Sequence, residues 1–232
     1  MGKVLKRFVG RFLKFTLYFL VITVACVVLY RFFHPPITPL MVIRYFESDS
    51  KTRSINYVWK KYEDISEDLA LAIVAAEDQK FFDHSGFDVE AIQDAVYENK
   101  DRKKIRGAST ISQQVAKNLF LWPSRTWLRK GLEAYFTFLV ELFCDKKRIL
   151  ELYLNVAEMG DGIYGAETAS RVYFNKPAKS LSRGEAALIA AVLPNPKRMS
   201  PVKPSAHVSK RQRWIIQQMS NLGSFEFLSQ KR

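Results

Sequence analysis

SEDLALAIVAAED, residues 66–78, decides the fold class. Ser66 can cap a helix, Glu67 and Asp68 fall in the first turn where the helix dipole favours acids, and an apolar run follows. From Ser66 onward the chain repeats such stretches, with few of the alternating runs that make strands. Asp88 to Tyr97 reads as a second helix. It runs into ENKDRKKIRG (98–107), whose charge suits a mobile loop better than a packed element. Thr110 to Leu119 is a third, ended by Trp122-Pro123. A long amphipathic helix spans about Thr126 to Phe143, with Leu128, Leu132, Tyr135, Phe136, Leu139 and Leu142 at helical spacing. Asp145 can cap the next, and Ser182-Arg183-Gly184-Glu185 reads as a capping box before AALIAAVL. A last helix runs from Ser205 to Leu222 and stops at Gly223. The expected class is mainly α, without repeats or low-complexity tracts.

With 232 residues, 48% of them hydrophobic, the chain can bury one sizeable core. Its N-terminus is a separate matter. FTLYFLVITVACVVLY (15–30) carries no charge; it is short for a bilayer span, but Lys14 and Arg31 can snorkel and flanking phenylalanines extend its reach. No small residues offer a cleavage site, and Cys26 is followed by Val27-Val28-Leu29 where a lipidated cysteine would have polar sequence. The expectation is an uncleaved anchor: a basic cytoplasmic N-terminus (1–14), a transmembrane helix (15–31), a connector stiffened by Pro35, Pro36 and Pro39 (32–65), and a catalytic domain (66–232). Lys3, Lys6, Arg7, Arg11 and Lys14 hold the N-terminus inside. These residues need no nucleic acid to explain them. Beyond the anchor 30 basic side chains still face 23 acidic ones, which favours an anionic partner. Cys26 and Cys144 are placed too differently to form a disulfide, and His34, His84 and His207 lack metal-ligand spacing.

Three clusters can do chemistry. Glu77 ends an apolar helix on the face of Ile73 and Val74, where partial desolvation suits a carboxylate to general base work; the alternative is a helix-end acid pointing to solvent. Arg106 to Asn118 places Ser109 and Thr110 at a helix start, a plausible anion site, followed by Gln113, Gln114, Lys117 and Asn118, with no acid from Ile105 to Phe120. Arg125, Arg129, Lys130 and Glu133 form the third. Arg129 and Glu133 could be a surface ion pair of little worth, but two arginines beside one glutamate leave spare positive charge, as a phosphate clamp requires. Separated carboxylates with a cationic, hydroxyl-rich patch suit transfer of a sugar off a pyrophosphate: one acid activates the attacking hydroxyl and cations stabilise the leaving group.

Five ordered blocks carry a resemblance: EDQKFFDHSG (77–86), RGASTISQQVAKNLFL (106–121), RKGLE (129–133), KKRILELYLN (146–155) and GIYGAETASRVYFNK (162–176). Over about Ser66 to Pro196 the chain closely resembles the family 51 glycosyltransferases, the peptidoglycan polymerases, and in particular those without a C-terminal penicillin-binding domain. Ser112 stands where many members have Thr; both carry a hydroxyl. The resemblance implies a lysozyme-like domain with a small membrane-proximal jaw. It implies Glu77 as general base toward the acceptor's 4-hydroxyl and Glu133 as the second essential glutamate. Lys117, Arg125 and Arg129 fall on pyrophosphate-binding positions, and Asp78, His84, Ser109, Thr110, Gln113, Gln114, Asn118 and Lys130 join the substrate cleft. The implied substrates are lipid II and the growing β-1,4-linked glycan, made with inversion and release of undecaprenyl pyrophosphate. No cofactor is implied as required, although Mg or Mn assists some relatives at the pyrophosphate. The implied setting is the bacterial inner membrane, single-pass, with the catalytic domain periplasmic, among cell-wall synthesis or division proteins. Two rivals are a glycan-cleaving enzyme, which shares two-carboxylate chemistry but needs no such cations, and a non-catalytic scaffold.

Overall fold

The computed structural model describes residues 2–48, 53–99, 109–124 and 126–223. Among them the chain is mainly α. The first helix, α1 (Gly2–Phe32), is longer than the uncharged run, because nothing between Lys3 and Lys14 breaks it. Its stretch Leu5–Phe32 is long and apolar enough to cross a membrane. Phe12, Phe15, Leu17 and Ile22 stand exposed on it. The stretch 32–65, expected as a stiff connector and membrane-proximal jaw, holds a second helix, α2 (Pro39–Glu47). Proline at the first helical position gives up an amide that has no partner anyway, and the Thr38 hydroxyl accepts from Met41 N at 3.3 Å. Leu40 and Met41 are buried, whereas Phe46 is exposed.

The core is built on α3 (Glu67–Glu77), in which every residue from Leu69 to Ala75 is buried. A helix apolar on all sides must be internal. Packed against it are α9 (Arg183–Val192) and α10 (Ala206–Leu222). The other half centres on α5 (Ile111–Phe120), which lies against α6 (Trp127–Phe143), α7 (Lys146–Val156) and α2. Two more helices, α4 (Val89–Asn99) and α8 (Ala166–Phe174), complete the set. Asp145 caps as expected, and Thr126 and Ser205, expected only as helix starts, cap as well, each side chain accepting an amide of the first turn. Ser66 sits at its cap position, but its hydroxyl donates instead to Leu181 O at 3.1 Å and ties α3 to the approach to α9. Of the expected charged loop (98–107), Glu98 and Asn99 end α4 and residues 100–107 lie outside the described part of the chain.

Three short strands, β1 (Asn56–Tyr57), β2 (Glu158–Gly160) and β3 (Ile163–Tyr164), form a sheet in the order β1-β3-β2, parallel then antiparallel. Gly165 follows with φ 80°, and a Cβ there would lie 2.5 Å from the Asn155 carbonyl oxygen. That close approach seats the start of α8 on the end of α7.

α1 is docked against the rest of the chain. Arg148 donates from Nε to Tyr30 O at 2.9 Å and from Nη2 to Phe33 O at 2.6 Å, so it satisfies carbonyls that the end of α1 leaves over. Its guanidinium lies 5.2 Å from the Trp59 ring, and the Tyr57 hydroxyl donates to Pro35 O at 2.9 Å. Further along, the Thr23 and Tyr135 hydroxyls are 2.8 Å apart, joining α1 to α6.

Gly165→Ala is expected to lower stability by about 2 kcal/mol or more, combining a positive φ with a backbone clash. A thermal midpoint equal to wild type would contradict that reading.

Candidate active site

The end of α3 and the start of α5 are fastened by one carboxylate. Asp78 caps the C-terminus of α3 and is buried. Its Oδ2 accepts from Ile111 N at 2.9 Å, and its Oδ1 lies 3.0 Å from His84 Nε2. Since His84 Nδ1 accepts from Gly86 N at 3.1 Å, the ring proton sits on Nε2 and points to Asp78. The Thr110 hydroxyl donates to Gly86 O at 2.7 Å. Thr110 and Gln113 then close a capping box, the Gln113 side chain accepting from Thr110 N at 3.0 Å and Thr110 accepting from Gln113 N at 3.2 Å. The anion site expected at this helix start is therefore filled from within: the Thr110, Ile111 and Gln113 amides are all engaged by the chain's own side chains. Asp78, His84, Thr110 and Gln113 act as a scaffold here. Ser112 is likewise spent, donating to Glu141.

Two adjoining cavities open above this scaffold, and Ser109 lines both. The first, about 500 Å³, holds Glu77, Asp78, Gln79, Lys80 and, from α10, Trp214 and Gln218. The second, about 960 Å³, is lined by Gln114, Lys117, Asn118, Arg129, Lys130 and Glu133, with Arg44, Tyr153 and Glu158. Arg125 lies outside the described residues. Gln114 bridges the two, donating to Glu77 Oε2 at 2.9 Å while its own oxygen accepts from the Tyr153 hydroxyl at 3.3 Å.

Electrostatically the cavities are one site. Burial pushes the Glu77 carboxyl above the usual carboxylate range, opposed by the Gln114 hydrogen bond and the Arg211 and Lys117 cations. Burial also pulls the Lys117 ammonium down; Glu133 and Glu77 both counteract this, so Lys117 feels both acids. Among the described residues no carboxylate lies within 4 Å of its Nζ. Glu133 differs: it is buried and clasped by Arg129 and Lys130. A third carboxylate, Glu158, is also pushed up by burial, with Lys197 and Arg44 acting against it. Four cations and two carboxylates of the larger cavity's described lining leave a net positive wall.

Arg44, Glu158, Arg211, Trp214 and Tyr153 were not among the expected site residues. Tyr153 lies within a family block, whereas Arg44, Arg211 and Trp214 come from helices outside every block and reach the site only through packing.

Asp78→Ala is expected to cost about 2–3 kcal/mol, since it strands the Ile111 amide and the His84 ring. Chemical denaturation measures this, and a loss of activity with stability unchanged would instead make Asp78 a substrate contact.

The transglycosylase family model matches residues 45–220. The chain is 51% identical to a biosynthetic peptidoglycan transglycosylase of Pseudomonas fluorescens Pf0-1, over 97% of this chain and 94% of that one. Proteins of the same name in Shewanella oneidensis and Bacteroides thetaiotaomicron are 52% and 48% identical, over 87% and 93% of this chain and 86% and 88% of theirs.

Proposed function

This chain belongs to the transglycosylase family, and on that premise we propose how its residues divide the work of peptidoglycan polymerisation in cell-wall synthesis. The substrates in this reading are lipid II and the growing glycan strand. Glu77 takes the proton from the acceptor sugar's 4-hydroxyl. That oxygen bonds to the anomeric carbon of the donor from the face opposite the leaving group, the carbon–oxygen bond to the diphosphate breaks, and the electron pair departs with undecaprenyl pyrophosphate. The product is a β-1,4 linkage with inversion. Lys117, Arg129 and Lys130 receive the expelled diphosphate, with Arg125 assigned to the same wall by its place in the sequence. Glu133 holds Arg129 and Lys130 in place and keeps their charge balanced before the donor arrives.

The observation that carries this is Lys117: a half-buried cation in the lining of the larger cavity that, among the described residues, forms no ion pair. A buried unpaired charge is costly and persists where a ligand completes it. A glycan hydrolase acting on neutral polymer has no use for such a wall. Of the two carboxylates lining the larger cavity, Glu133 is already clasped by Arg129 and Lys130, and the described residues hold no group of three His, Cys, Asp or Glu side chains that could bind a metal ion.

For localisation, the reading is a single-pass anchor in the cytoplasmic membrane with the basic N-terminus inside and the cleft outside. Supporting it, α6 packs on α1 and leaves Trp127, Leu128, Phe138 and Leu142 exposed. The catalytic helix is thus held at the membrane.

Purified full-length protein with labelled lipid II tests the assignment. Glu77→Gln should fold normally and lose polymerisation by about 10²–10⁴-fold; near-normal turnover removes Glu77 as base. Because the base must be ionised, activity should fall as pH drops through a Glu77 pKa above the ordinary carboxylate range. Lys117→Ala should weaken binding of a diphosphate-bearing donor more than of phosphate-free glycan, and equal losses would show that Lys117 does not read phosphate.

A further inference from the structure

The residue that meets Glu77 from outside the family blocks is Arg211, on the last helix. Its Nη2 lies 3.4 Å from Glu77 Oε1 and 3.4 Å from Ala76 O, so it touches both the carboxylate and the C-terminal end of α3 that carries it. Its Nε is buried without a hydrogen-bond partner. A buried unsatisfied guanidinium nitrogen is unfavourable, so a side chain free to choose would turn to solvent. Arg211 lies on the same face of α10 as Trp214 and Gln218, three and seven residues on, and those two line the cavity in front of Glu77. α10 therefore forms one wall of the reaction centre.

We propose that Arg211 is a positioning residue for glycosyl transfer, its guanidinium holding the Glu77 carboxylate oriented and ionised for proton abstraction. This rests on Glu77 being the base. The groups facing Glu77 are few. From α5 come Gln114, a neutral donor, and Lys117, which is turned toward the diphosphate wall. Tyr153 of α7 reaches it only through Gln114. Asp78, next in sequence, opposes ionisation. Lys80, Asp88 and Asp94 line the same cavity. Of the cations among these residues, only Arg211 contacts the carboxylate directly. Burial works against the ionised form and Arg211 works for it. When Lys117 becomes engaged by a diphosphate, its positive charge is neutralised from the side of Glu77, and Arg211 remains to keep the base ionised during transfer.

The test measures kcat and KM for lipid II polymerisation across pH with full-length wild type, Arg211→Gln, Arg211→Lys and Glu77→Gln. Losing the cation raises the Glu77 pKa further. Arg211→Gln should therefore lose about tenfold in kcat on the acidic limb, that limb being displaced upward by about one pH unit, with activity approaching wild type at higher pH. KM should change little, and Arg211→Lys should restore the wild-type limb. An unchanged limb, a loss uniform across pH, or a loss confined to KM overturns the proposal. Should the Gln variant fail to fold, Arg211→Lys decides alone: a limb at the wild-type position supports it and a displaced one overturns it. A Glu77→Gln enzyme as active as wild type would sink the base assignment instead, which no Arg211 result can mimic.

Discussion

The hydrogen bond from Ile111 N to the Asp78 carboxylate fixes how the site is assembled. Asp78 ends the buried helix α3, and Ile111 begins α5, so one charged acceptor sets the distance and angle between two helices 33 residues apart in sequence. A carboxylate at a helix N-terminus is favoured by the dipole and by the free amides there. His84 and Gly86 brace it from the intervening loop. Glu77, one residue before Asp78, is thereby placed opposite Gln114 and Lys117 on α5. Neither half of the molecule contains a site without the other.

The remaining architecture supplies a low-dielectric setting in which charges matter. Glu77 is pushed toward protonation and Lys117 toward deprotonation by the same burial, and each is partly restored by the other's charge. Glu133 is buried and held by two cations. In the proposed reading this difference divides the labour: a carboxylate that accepts a proton belongs where its charge is incompletely compensated, and one that organises cations belongs against them.

Much of this was legible in the sequence because helix periodicity and caps are local. Asp145 caps as its sequence context demands, the helices expected to start near Thr126 and Ser205 do so, and the apolar run of α3 is an internal helix. That Glu77 and the Lys117 segment would lie near one another followed from the type and order of residues within the family blocks; that they line two adjoining cavities, joined at Ser109 and Gln114, did not. What stayed hidden was decided by packing or by competition. Thr110 and Gln113 carry the residues of a capping box, and Asp78 takes the Ile111 amide that the helix start would otherwise offer to an external anion. Pro39 looked like a linker residue because its role as a first-turn proline depends on Thr38 and on a buried Leu40-Met41 pair. Arg44 and Arg211 carry no local signature: an arginine on an amphipathic helix reads as solvated until the neighbouring helix is known.

The attachment of α1 follows from the same logic of completing unsatisfied groups. Arg148 fills the last carbonyls of the anchor from α7, and Tyr135 meets Thr23 from α6, the helix whose other face carries Arg129, Lys130 and Glu133. A membrane helix joined only by a flexible linker would let the cleft tumble relative to the bilayer. Here the cationic wall shares α6 with the contact to α1, so side-chain packing fixes the wall and α1 relative to each other. In the proposed reading, with α1 in a membrane, a lipid-tethered diphosphate would meet a wall already held in place, without the entropic cost of finding it.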